Sequence, residues 1–101
     1  MVVFDTSSGE VLERIPVVGD TDDLWYDAAR RMIYVSGGEG SISVIRQADA
    51  DHYHFIARIP TATGARTSYL VPELGQLWLA VPHRGPQPAE LRVYEVQTTA
   101  R

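Results

Sequence analysis

A tripeptide that comes back constrains this chain more than any other feature. Arg14-Ile15-Pro16 returns as Arg58-Ile59-Pro60, 44 residues on, and Ile33-Tyr34-Val35-Ser36 is echoed at the same separation by Leu77-Trp78-Leu79-Ala80. Between these anchors Leu24-Trp25-Tyr26 matches Tyr69-Leu70-Val71 at 45, so the loop before it is one residue longer in the second copy. A repeat means one structural unit used more than once, each unit covering its neighbour's apolar face. In 101 residues there is room for about two such units.

Each unit reads as strands. Two runs rich in Ile, Val, Tyr and Ser, 32–36 and 41–46, flank Gly37, Gly38 and Gly40 and predict a β-hairpin. Segments 2–5, 11–17, 24–26, 53–59, 69–71, 77–80 and 91–96 read as seven more strands, nine in all. Pro16 and Pro60 cannot donate to a ladder, so they end their strands or sit at an outer edge. Segment 19–23, GDTDD, is expected as a loop and 47–52 as a polar link. Residues 28–31 are too few to sustain a helix and predict a turn.

Repeat periods in the forties with short antiparallel strands belong to β-propeller blades. With blade strands lettered A to D from the axis outwards, the chain runs C-D, then A-B-C-D, then A-B-C. The expected fold is therefore all-β, a β-propeller fragment of about two four-stranded antiparallel blades. It divides into outer strands of a partial blade (1–18), a full blade (19–60) and a final blade lacking its outer strand (61–101). A closed propeller takes about four to eight blades, so the start inside a strand at Val2 reads as truncated and the end on a third strand as natural. Trp-Asp and Gly-His dipeptides are absent, which separates the chain from WD40 blades. An immunoglobulin-like sandwich predicts no such echo.

Composition removes several functions. Nine arginines and no lysine, dispersed against thirteen acidic residues for a net charge of −4, make no basic stripe for nucleic acid or an anionic membrane. Without cysteine there is no disulfide, thiolate metal site or cysteine nucleophile. No apolar run approaches the roughly 20 residues of a spanning helix.

Ile33, Tyr34, Val35 and Ser36, then glycines, then Ser41, Ile42, Ser43, Val44 and Ile45, resemble the YVTN-type β-propeller repeat. That signature is a Tyr-Val-Thr-Asn-like strand, a glycine turn and a Val-x-Val-Ile-Asp-like strand. Val2 to Asp5 with Gly9, the Ile-Pro pairs, and more loosely Leu77 to Val81 repeat pieces of it. Ser36 and Gly37 stand in place of Thr-Asn, Arg46 in place of the Asp, and the last repeat reads Trp78, Leu79, Ala80. The resemblance implies the C-terminal part of a seven-bladed bacterial propeller in a periplasmic or extracellular setting. It also implies a binding or protein-interaction module, catalytically silent in this segment, whose partners are a small molecule or protein and the remaining blades. The alternative it offers is part of a propeller enzyme, quinoprotein-dehydrogenase-like or lactonase-like, with ligand over the axial channel. A further reading closes a ring by homo-oligomerisation, since unpaired edge strands seek partners.

Because an antiparallel chain reverses at every strand, the D-to-A links and B-to-C turns emerge at one end, around the channel mouth. Asp20, Asp22, Asp23, Glu39, Arg66, Thr67, His83 and Arg84 fall there; of these Asp22, Asp23, Glu39, Arg66, His83 and Arg84 are the candidate ligand-binding residues. No catalytic residue, metal site or cofactor is assigned. The aspartates lack the spacing and terminal Glu of an EF-hand. His52 and His54 share a strand face but have no evident third ligand. The glycines join two strands, not a strand to a helix, so they read as a turn and not a phosphate cradle. Trp25, Tyr26, Tyr34, Tyr69 and Trp78 are expected to pack blade against blade.

Overall fold

A strand that is apolar on both faces needs a layer on each side, and the middle of this chain supplies such strands. In the computed structural model, which describes residues 1–96, nine strands form three antiparallel sheets in chain order. β1 (Val2–Phe4) pairs with β2 (Val11–Arg14). β3 (Thr21–Asp27), β4 (Met32–Gly37), β5 (Ser41–Asp49) and β6 (His52–Pro60) make the central sheet. β7 (Thr67–Val71), β8 (Gln76–Val81) and β9 (Glu90–Glu95) make the last. The chain is all-β, with sheets of two, four and three strands consistent with a β-propeller fragment, and among the described residues the sheets do not close into a ring. Of the expected final unit, 97–101 lie outside the described residues.

Alternation along β4 and β5 divides their side chains between two cores. Met32, Tyr34, Ile42 and Val44 meet Leu70, Leu77, Leu79 and Val81 of the last sheet. Ile33, Val35 and Ile45 meet Val18, with Ile15 and Val17 alongside, from the segment leaving the first sheet. Ile45 and Leu79 are fully buried, and each such side chain contributes roughly 1.5–3 kcal/mol by leaving water. The central and last sheets approach through their first strands, with β3 lying against β7.

Several boundaries differ from expectation, for reasons visible in the ladders. β3 begins at Thr21 inside the expected loop, because Ser36 and Gly37 extend β4 and pair with Asp23 and Thr21 across a register shift. β5 runs on to Asp49 because β6 stays paired with it as far as His52, so the polar link shrinks to a turn. β6 keeps Pro60 as its last residue, where an edge strand tolerates the missing donor. β2 ends at Arg14, although Ile15 still donates to the Met1 carbonyl at 2.9 Å. A 3-10 turn, Pro72–Leu74, joins β7 to β8 and closes on Gly75 at φ 63°.

The aromatic residues divide. Trp25 meets Tyr69 edge-on with ring centroids 5.2 Å apart, and Tyr34 is buried between sheets. Tyr26 and Tyr69 are largely exposed instead. The first sheet has only two strands and leaves Tyr26 uncovered, and nothing among the described residues covers the far side of the last sheet.

Candidate functional site

Four connections gather at one end of the sheets, as strand reversal requires. They are the lead into β3, the β4–β5 turn, the β6–β7 link and the β8–β9 link. Gly38 donates to the Asp20 carbonyl at 2.9 Å, Gly64 to the Gly38 carbonyl at 2.7 Å, and Thr61 to the Gly40 carbonyl at 2.8 Å. The Gln87 side-chain amide extends the chain of contacts, donating to the carbonyls of Thr63 at 3.0 Å and Pro82 at 2.9 Å.

The charged residues brace this end from sheet to sheet. Arg66 donates through Nε at 2.9 Å and Nη2 at 2.7 Å to one carboxylate oxygen of Asp20. Both side chains are partly exposed, 39% and 52%, so the pair adds about 0–1 kcal/mol. Thr67 Oγ1 donates to Asp22 at 3.4 Å, and Asp23 accepts the Ser68 backbone N–H at 2.9 Å. Glu39 accepts the Gly19 N–H at 3.0 Å. Gly38 has a spatial role, since a Cβ there would run into the Asp20 carboxylate.

All six candidate binding residues therefore lie at this end, in two groups. Asp22, Asp23, Glu39 and Arg66 are engaged with neighbouring loops or the next sheet. His83 and Arg84 stand exposed in the β8–β9 link, where Arg84 and Gln87 exchange backbone hydrogen bonds at 2.9 and 2.8 Å. The result is a cross-braced end that carries both signs of charge.

Beneath it runs a buried relay that sequence reading missed. Ser36 Oγ donates to the Arg66 carbonyl at 2.7 Å and lies 2.8 Å from Ser68 Oγ, which accepts from Trp25 Nε1 at 3.1 Å. With the Ser36 proton committed to the carbonyl, Ser68 must donate to Ser36, so the proton order is fixed. The partners lie 32 and 43 residues apart, and serines alternating with apolar residues carry no signal of such pairing.

At the opposite end Asp27, 1% exposed, accepts from Arg30 Nη1 at 2.8 Å and from the Arg30 backbone N–H at 3.2 Å. Arg30 also reaches the Pro72 carbonyl at 3.3 Å. Burial, followed by the negative charge of Asp27, pushes the Tyr34 phenol up to about 12, with Arg30 opposing. His52 turns to Asp49, Nδ1 to Oδ1 2.8 Å, and that hydrogen bond raises its pKa above the ordinary value. Among the described residues no three His, Asp or Glu side chains are grouped to hold a metal ion.

Comparison of the chain with protein-family models, with curated proteins and with solved structures gives no match.

Proposed function

We propose that this chain is part of a β-propeller of the YVTN type and serves as a binding or protein-interaction module, with no catalytic step carried by its own residues. One observation carries the reading: the connections of two successive sheets converge at one end and are cross-braced there, while His83 and Arg84 remain presented to solvent. A pre-formed surface binds without the cost of ordering its loops. The 44-residue echo and the approach of the sheets through β3 and β7 favour the propeller arrangement.

The test is residue-by-residue NMR mapping with a panel of small carboxylic acids, amino acids and sugars. The expected result is saturable shift changes confined to Glu39, Arg66, His83, Arg84 and their neighbours, weakened by Arg84→Ala. Turnover of a substrate that is lost on His83→Ala or Arg66→Ala would replace the module reading with the enzyme one.

A further inference from the structure

On the face of the central sheet turned away from the last one, a polar hollow lies where the chain leaves β2. Val18 donates its backbone N–H to Ser43 Oγ at 3.0 Å, so Ser43 faces this side, and Ser41, two residues earlier on β5, shares its face. β6 supplies the outer wall. Arg58 pairs in register with Ser43, and the register shift that skips Ile56 brings Phe55, opposite Ile45, round to the same face. Together with Pro16 and the Glu39 side chain these residues line a pocket of about 250 Å³. It is built from side chains of one sheet face and the link laid over it, not from a free strand edge.

Three polar groups there are left over by the fold. Ser41 is 1% exposed and its Oγ has no hydrogen-bond partner, which is costly for a buried hydroxyl. Among the described residues Arg58 forms no ion pair. Glu39 commits one oxygen, Oε1, to the Gly19 N–H at 3.0 Å, and Gly19 makes room for it, since a Cβ there would run into that carboxylate. Opposite charges thus line one pocket without pairing to each other. A ligand that carries both charges meets both at once. Register sets its shape: Glu39 lies toward the loop end, Ser43 and Arg58 come next, and Phe55 is furthest along. The pocket is smaller than the roughly 300–1,000 Å³ of drug-sized sites, so its ligand is of amino-acid size.

We propose that this pocket binds a free α-amino acid with an apolar side chain, its ammonium on Glu39, its carboxylate on Arg58 and the Ser41 hydroxyl, and its side chain over Phe55. The inference goes beyond the loop-end reading and shares only Glu39 with it.

The probe is L-leucine, titrated into the isotope-labelled full chain and followed by NMR. Saturable shifts are expected at Gly19, Ser41, Ser43, Phe55 and the Arg58 Nε–H. Two analogues each drop one charge: N-acetyl-L-leucine lacks the ammonium and L-leucinamide the carboxylate. Each is expected to bind about fivefold or more weakly, the upper range for a charge contact open to water. Arg58→Gln is expected to weaken L-leucine by the same factor and to leave L-leucinamide unchanged, a split that a merely structural role for Arg58 does not produce. The analogues need no protein variant, so the proposal stays testable if Arg58→Gln does not fold. No saturation in the millimolar range, or either analogue binding as well as L-leucine, overturns it. So do shifts centred on Arg66, His83 and Arg84, which would support the loop-end reading instead, so the two readings fail separately.

Discussion

The Asp23 carboxylate accepts the Ser68 backbone N–H at 2.9 Å, tying the central sheet to the last across 45 residues of chain. Ser68 is buried, so its N–H has no water to turn to when the carboxylate is removed. Asp23→Ala is expected to cost about 1–3 kcal/mol. Urea denaturation followed by tryptophan fluorescence checks this, and Asp22→Ala, whose 3.4 Å contact is exposed, should lie near zero.

Gly38 permits the Asp20–Arg66 pair. Its Cβ position is taken by the Asp20 carboxylate, with Arg66 Nε 3.1 Å away. Gly38→Ala is expected to push Asp20 aside, freeing Arg66 while the strands on either side persist. The Arg66 Nε–H resonance is then expected to lose its protection from exchange, with a stability loss of about 1 kcal/mol. That loss reflects mainly the displaced loop contacts, since an exposed ion pair alone contributes less.

Tyr34 makes the stability pH-dependent at the alkaline end. Its folded pKa, about 12, stands above the unfolded value near 10, so its contribution is fully present below pH 10 and is lost as pH rises to 12. Two units correspond to about 2–3 kcal/mol. Stability measured from pH 9 to 12 is expected to fall less steeply in Tyr34→Phe, and an unchanged slope would assign the fall to other groups.

What could be read from the chain alone follows from the range of each interaction. Pro60 and the glycines of the β4–β5 turn act locally, and runs of β-branched and aromatic residues mark strands wherever they fall, so the all-β class and the antiparallel strand order were legible. The gathering of Asp22, Asp23, Glu39, Arg66, His83 and Arg84 at one end was legible too, since it needs only strand reversal. The role of the carboxylates was not. Asp23 looks like any acidic loop residue until the next sheet places Ser68 beside it. Nor was the burial of Asp27, which depends on Arg30 folding back in the turn and reaching Pro72. Tyr26 and Tyr69 were expected to be covered, but their exposure is decided by which strands their neighbouring sheets possess.

The central claim is that the described residues form three separate sheets and that the central and last sheets approach through their first strands, β3 and β7. Cross-strand nuclear Overhauser contacts in the isotope-labelled chain test it most directly. The account predicts Hα contacts within β1–β2, β3–β6 and β7–β9, none between β6 and β7, and side-chain contacts from the Trp25 indole to Ser68 and Tyr69. A ladder joining β6 to β7, or a Trp25 indole without contacts to the last sheet, would contradict it.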